Sequence, residues 1–469
     1  MLTLVIEVLL ALVTILSAGH AFLYKRDPKA AWGWVAVCLM FPLGGAALYW
    51  LMGVNRIRTR ARNWEAKGKF DHPVAPAVTP AGPPRVADTS IAALVRIADT
   101  VTGVPLLGGN RVGILHNGEA AYPAMRDAIA QARERVYLST YIFRTDAVGR
   151  GFIDTLVAAA ERGVDVRVLI DGVGELYTFP WPSTRLRHTK VRVARFLPLV
   201  RRGFHFNLRN HRKLLVVDGR AGFAGGMNIG EHHLAEQPNN PHRVVDLQVA
   251  VEGPVVTQLE EVFLRDWHFA TGNSPPIRSE QMNATAGQAG CRGISAGPNE
   301  DFEKLYWIVL GALGAARSHI RIMTPYFIPD RALLAALTMA ALRGVRVEIV
   351  LPQHNNLPYV AWAMRAFLWE VLQYGARVYY QPGPFVHSKL LAVDDEYALV
   401  GSANLDPRSL RLNFEFNLEI YDREASALLT RHFDTTRDRS REVTLAEVDG
   451  RPLPIRLRDS AAKLFSPYF

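Results

Sequence analysis

The sequence predicts an α/β protein of two repeated halves behind an N-terminal two-helix membrane hairpin. Three observations predict it. An eight-residue motif occurs twice, the segments around it repeat a strand–helix–strand pattern, and the first 54 residues hold two long apolar runs. His211-Arg-Lys213-Leu-Leu-Val-Val-Asp218 and His387-Ser-Lys389-Leu-Leu-Ala-Val-Asp394 both read H-x-K-x4-D. Each is followed by a glycine-led turn ending in asparagine, Gly225-Gly226-Met227-Asn228 and Gly401-Ser402-Ala403-Asn404. His387 follows His211, and Asn404 follows Asn228, by the same 176 residues. With 14 His and few Lys, one such motif is expected by chance in about one chain in a hundred, so a second in register marks a duplication.

In chain order, residues 8–24 and 31–54 are apolar, separated by Lys25-Arg-Asp-Pro-Lys29. Each run approaches the ~20 residues that a bilayer-spanning helix needs. A cleaved signal peptide would want a basic segment before Val8, which is lacking, and would leave the second run unexplained. Residues 1–55 are therefore expected to form a transmembrane hairpin. Residues 56–90 read as a basic, proline-rich linker, with Arg56, Arg58, Arg60, Arg62, Lys67 and Lys69, then Pro73, Pro76, Pro80, Pro83 and Pro84 as a stiff spacer. The 25–29 loop carries fewer positive residues, so the positive-inside bias predicts a multi-pass protein of the inner membrane with a cytoplasmic body.

Beyond the spacer, 91–272 read as the first half, 273–298 as a Gly/Ser/Asn/Ala-rich connector, and 299–469 as the second half. Residues 132–141 and 316–324 read as a helix end feeding an alternating strand. An alanine-rich helix follows each, then the strands 163–170 and 344–351. That order predicts right-handed crossovers and a largely parallel sheet. The Leu-Leu-Val-Val and Leu-Leu-Ala-Val runs are strands too, and period 2 puts each motif's His and Lys on one face.

Composition narrows the partner. The 469 residues are 49% hydrophobic and 21% charged, with net charge +10, which suits an anionic partner, either nucleic acid or an acidic membrane. Two cysteines, Cys38 and Cys291, exclude a disulfide framework and a zinc cluster. Between Leu176 and Val217 there is no acidic residue. Arg185, Arg187, Lys190, Arg192, Arg195, Arg201, Arg202 and Arg209 alternate with Tyr177, Phe179, Trp181, Phe196 and Phe204. Nucleic acid and an anionic bilayer would both suit such a stretch. The apolar runs favour the membrane. Residues 357–372 read as an apolar core helix.

A duplicated site with two His, two Lys and two Asn suits attack on a phosphate ester. Neutral imidazole attacks, fixed cations and N–H donors hold the non-bridging oxygens, and a proton reaches the leaving alkoxide. No metal or cofactor is required by that set. Asp246 and Glu415, downstream of the two Asn turns, fit as partners that fix each imidazole's tautomer.

The paired H-x-K-x4-D resembles the phospholipase D superfamily. The two apolar spans, the Asp246 element before Val251-Glu-Gly-Pro254, the segment from Asn404 through Asn413-Phe-Glu415, and the terminal Phe465-Ser-Pro-Tyr-Phe469 resemble the bacterial cardiolipin synthases. Pro352-Gln-His354-Asn-Asn departs from the acidic residue that many relatives carry there. The resemblance implies two αβα sandwich halves packed as a pseudo-dimer. It implies transfer of phosphatidyl between two phosphatidylglycerols through a phosphatidyl-histidine, with His211 as nucleophile and His387 as acid/base. It further implies that Lys213, Lys389, Asn228 and Asn404 bind the phosphoryl oxygens, and that Asp218 and Asp394 are structural. The rival readings are a hydrolase or a transferase to another alcohol, a nuclease of the same superfamily, and a membrane scaffold with a relic site.

Overall fold

The computed structural model describes residues 1–25, 27–54, 89–198, 208–273, 275, 285–299 and 301–466. The linker 56–88, with its basic run and prolines, lies outside the described residues, as do Arg201, Arg202, Phe204 and the last three residues. The chain divides into two compact units, Met1–Ala66 and Lys67–Phe469.

In the N-terminal unit the first apolar run is one helix, Leu2–Tyr24. Among the described residues it is the only helix long and apolar enough to cross a membrane. The second run differs from the expected single helix. It forms Pro28–Met40, whose start is capped by the Asp27 carboxylate, then a break, then Gly44–Leu48 running into a π-turn at Tyr49–Gly53. Pro42 causes the break, because it has no N–H to donate and restricts Phe41 before it. The pieces return on the first helix: His20 Nδ1 lies 2.6 Å from the Tyr49 hydroxyl, and Trp50 Nε1 donates to Ser17 Oγ at 3.0 Å.

The body is built on one mixed sheet. Its first-half strands are β1 (Leu107–His116), β2 (Arg135–Thr140), β3 (Asp165–Asp171), β4 (Arg192–Phe196), β5 (Leu214–Val217), β6 (Ala221–Gly225), β7 (Val244–Val245) and β8 (Leu247–Glu252). The second half supplies β9 (Ala289–Ala296), β10 (His319–Met323), β11 (Arg346–Pro352), β12 (Arg377–Gln381), β13 (Phe385–Val386), β14 (Leu390–Val393), β15 (Tyr397–Gly401), β16 (Glu415–Tyr421) and β17 (Arg441–Val443). Fifteen of them form a single sheet in the order β17-β12-β11-β10-β14-β15-β16-β9-β1-β8-β6-β5-β2-β3-β4. Outward from the β9–β1 seam, the two arms follow the same order. The duplication read from the motif is thus a duplication of the sheet.

Pairing is parallel within β2–β3–β4 and β10–β11–β12, where helices Ala147–Glu161 and Arg331–Leu342 make the crossovers. Elsewhere in the sheet it is antiparallel, so the expected largely parallel sheet is corrected to a mixed one. The motif strands β5 and β14 run back against β2 and β10. Along β2 the side chains alternate. Val136 and Leu138 join a core with Tyr122 and Phe152, while Tyr137 stacks on Phe263 of helix Val256–Thr271, centroids 4.9 Å apart. Helices therefore cover both faces.

Two expected boundaries move. Residues 289–296 fall within the stretch read as connector but form β9, a wholly buried strand and the counterpart of β1. Ala289-Gly-Cys-Arg-Gly-Ile-Ser-Ala296 is mostly small, apart from the buried Arg292 and Ile294, because neighbours crowd it: a Cβ on Gly293 would meet the Phe416 ring at 2.8 Å. Helix Thr89–Thr102, expected in the first half, packs its Ile91, Leu94 and Ala98 into the second half's core. Residues 357–372 form two short helices, Pro358–Arg365 and Leu368–Leu372, which carry Val360, Ala363, Met364, Leu368 and Val371 into that core.

Candidate active site

Both motif histidines precede their strands, at the point where each half meets the other. The His211 N–H donates to the Phe414 carbonyl at 2.8 Å, and the Phe414 N–H to the Arg209 carbonyl at 2.8 Å. The His387 N–H donates to Val245 O at 2.8 Å, beside the parallel β7–β13 ladder. Each histidine is held by the backbone of the opposite half.

The carboxylates cross in the same way. His211 Nδ1 lies 2.9 Å from Glu415 Oε2 of the second half. His387 Nδ1 lies 2.7 Å from Asp246 Oδ2 of the first half. Both acids are fully buried. A carboxylate on Nδ1 takes the proton there and leaves Nε2 with its lone pair free. Glu415 also accepts from Ser402 Oγ at 2.5 Å and Asn413 Nδ2 at 3.1 Å, and Asp246 from the Leu247 N–H at 2.8 Å. The glycine turns make room: a Cβ at Gly226 would stand 2.5 Å from Asp246 Oδ1.

Lys213 and Lys389 are buried beside the histidines, and each ammonium donates to the carbonyl of its own motif histidine. Asn228 and Asn404 are buried and line the same cleft as both histidines. Asn228 Oδ1 accepts the Ile142 N–H at 3.1 Å, and Asn404 Nδ2 donates to Ser409 Oγ at 3.2 Å. The motif aspartates stand apart. Asp218 accepts the N–H groups of Arg133, Glu134 and Arg135, and Asp394 those of Arg317, Ser318 and His319. They tie the start of each central strand to the end of each motif strand, a structural task.

Burial dominates the electrostatics. It pushes His211 down, against the pull of Glu415 and with the help of Lys213. Burial, aided by the Lys389 charge, takes His387 down to about 3. Burial also drives Lys213 well below the usual lysine range and Lys389 to about 8. Asp246 and Glu415 feel the same penalty, but the histidines, the lysines and the hydrogen bonds outweigh it and hold both below ordinary carboxylates. The resting site is two neutral imidazoles, each backed by an ionised acid.

The cleft has a volume of about 1200 Å³. Several residues in or behind the cleft wall escaped the sequence reading. Tyr141 sets its ring edge-on to His211, centroids 5.3 Å apart. Asp171, at the end of β3, accepts the Asn210 N–H at 2.8 Å and so holds the backbone next to His211. Arg144, His232 and His233 line the first-half wall, and His354 with Asn355 and Asn356, seen in sequence only as a departure, line the opposite one. None of these is duplicated, and duplication was the signal. Of the basic-aromatic stretch, Tyr177, Phe179 and Trp181 are exposed, Arg195 pairs with Glu175, and Arg209 is buried beside Asp171.

Two family models match. One described as cardiolipin synthase, phospholipase D-like domain covers residues 125–267 and 309–437, and one described as phospholipase D-nuclease N-terminal covers 8–53. The chain is 32% identical to the major cardiolipin synthase ClsA of Bacillus subtilis, over 99% of this chain and 97% of that one. It is 31% identical to the cardiolipin synthase of Oceanobacillus iheyensis, over 96% of both. With cardiolipin synthase A of Pseudomonas putida it shares 34%, over 98% of this chain and 96% of the relative. A phosphatidylserine synthase from Haemophilus influenzae shares the fold, with TM-score 0.62 at 16% identity over 80% of this chain and 100% of that one. Fold and site thus define a phosphatidyltransferase of the phospholipase D superfamily. Within it, the chain belongs to the cardiolipin synthase family.

Proposed function

We propose that this protein joins two phosphatidylglycerols into cardiolipin and releases glycerol. The observation that carries this reading is the pair of neutral imidazoles on one cleft, each backed by a buried carboxylate from the opposite half. His211 Nε2 attacks the phosphorus of the first lipid. As the N–P bond forms, the P–O bond to glycerol breaks, and His387 Nε2 delivers a proton to the leaving alkoxide. In the second step the hydroxyl of another phosphatidylglycerol gives its proton back to His387. Its oxygen bonds to phosphorus and His211 departs. Lys213, Lys389, Asn228 and Asn404 take the non-bridging oxygens.

The resting His387 is neutral, yet the first step needs an imidazolium. A bound phosphodiester brings a negative charge beside it and raises its proton affinity, so the catalytic proton enters with substrate. The family resemblance supports the choice of His211 as nucleophile. The reaction needs no metal. The apolar N-terminal unit anchors the protein in the inner membrane as a multi-pass hairpin with the body cytoplasmic, a reading supported by the charge bias of the sequence. Exposed Tyr177, Phe179 and Trp181 suit contact with an anionic bilayer.

The test is product identification from purified full-length protein and phosphatidylglycerol labelled in its glycerol headgroup, with and without chelator. Cardiolipin and free glycerol are expected in equal amounts, unchanged by chelator. Phosphatidic acid as the sole lipid product would overturn transfer in favour of hydrolysis.

A further inference from the structure

The two arms of the body can be matched residue by residue around the cleft, and on the first-half wall they differ in charge. Thr140 Oγ1 donates to Ile142 O at 3.0 Å, and Thr324 Oγ1 donates to Tyr326 O at 3.1 Å. Phe143 bridges to Ile229 as Phe327 bridges to Leu405. Asp146 and Asp330 cap the crossover helices. That frame sets Arg144 against Ile328, and both line the cleft. The asparagine turns add a second difference, His232-His233 against Arg408-Ser409. Arg408 stands within electrostatic reach of Asp406, which offsets its charge.

Arg144 makes no ion pair among the described residues, and its buried Nε has no hydrogen-bond partner. Asp146, two residues from Arg144, and Glu231, next to His232, both accept backbone N–H groups. Asp146 accepts the Gly149 and Glu231 N–H groups at 3.0 and 2.8 Å, and Glu231 accepts the Ala147 N–H at 2.9 Å. Arg144 and His232 converge over Gly230, where a Cβ would lie 2.8 Å from both Arg144 Cδ and His232 Nδ1. His233 is buried, and its Nε2 accepts the Asn228 N–H at 3.2 Å. Its proton therefore sits on Nδ1, a buried donor without a partner. His232 Nδ1 is likewise buried and unpartnered. A guanidinium and two imidazoles on one cleft wall, with nitrogens that no protein group satisfies, suit a monoanionic oxyacid.

The wall also stands on a definite side of the reaction. The His233 ring lies 6.2 Å from the His387 ring, centroid to centroid. His387 is the histidine that handles the departing and arriving alcohol oxygens, on the reading proposed above, upon which this inference rests. The departing glycerol carries no phosphate. The arriving phosphatidylglycerol carries one of its own, a glycerol away from the attacking oxygen. We propose that Arg144, His232 and His233 form a second anion subsite that receives the acceptor lipid's phosphodiester while the reacting phosphate sits between His211 and His387. The subsite selects a phospholipid over glycerol or another simple alcohol as acceptor.

The experiment compares two acceptors in the full-length protein. Cardiolipin formation uses phosphatidylglycerol as acceptor, and exchange of labelled glycerol into phosphatidylglycerol uses an acceptor without phosphate. In Arg144→Gln, loss of a charge-assisted contact is expected to lower cardiolipin formation by about tenfold or more. Glycerol exchange is expected to stay within about twofold, because that transition state does not use the contact. His233→Gln, which keeps a donor, is expected to lose less than His233→Ala. Equal loss of both reactions in Arg144→Gln, or loss of neither, would overturn the subsite alone. A wild-type protein that exchanges glycerol but forms no cardiolipin would overturn the transfer reading, and the subsite with it.

Discussion

Lys389 carries a pH signature. Burial lowers its ammonium from the 10.5 of a free lysine to about 8. Below that value it is charged and holds phosphate; above it the charge is lost. Because the first step also needs a proton on His387, kcat/KM, which reports the free enzyme, is expected to fall already at lower pH, and loss of the Lys389 charge adds a steeper break near pH 8. In the bound state the substrate's negative charge favours the ammonium, so the limb in kcat is expected at higher pH. A kcat/KM profile with no added break between about pH 7 and pH 10 would remove Lys389 from phosphate binding. At this scale the sequence was most legible where it repeats itself. His211, Lys213, Asn228 and their second-half matches stand out because they recur in register as a set suited to phosphate chemistry. Asp246 and Glu415 were legible as partners, but not which histidine each one serves, since that depends on how the halves face. Arg144 and His233 were illegible for the opposite reason: their meaning lies in a difference between halves, and that needs the halves matched first.

At the scale of elements, the turn between β6 and Asn228 shapes the acid behind His387. Gly226→Ala would place a methyl 2.5 Å from the Asp246 carboxylate and force it to shift. A displacement of about 1 Å in a positioning group costs on the order of a hundredfold in rate, so kcat is expected to fall by about that factor. The variant should keep its circular-dichroism spectrum and most of its thermal stability. Retention of wild-type kcat would mean that Asp246 does not orient His387. Strands flanked by alternating apolar residues, such as β2 and β10, were plain in sequence because one periodicity describes them. β9 was not, because six of its eight residues are Ala, Gly, Cys or Ser, close to the composition of a connector, and its buried Arg292 reads in sequence as a surface charge. The break in the second apolar run follows from Pro42, which hydropathy averages over.

At the scale of the molecule, the expected orientation rests on charge. Residues 56–69 carry more Lys and Arg than the 25–29 loop, so the hairpin's turn is expected outside and the body inside. A reporter active only in the periplasm should be silent at the C-terminus and active when inserted in the 25–29 loop. An active C-terminal fusion would reverse the orientation. The two-half plan was legible from the motif alone. The single continuous sheet was not, because the β1–β9 seam joins strands 179 residues apart at Asn110 and Ala289, and no local pattern announces such a partner.

The crossed carboxylates also act as an interlock on synthesis. A chain still on the ribosome presents residue 211 long before residue 415 exists. Until that strand arrives, the first imidazole lacks the carboxylate that selects its tautomer, and for most of that interval the second has not been made. A half-finished chain therefore carries an incomplete site.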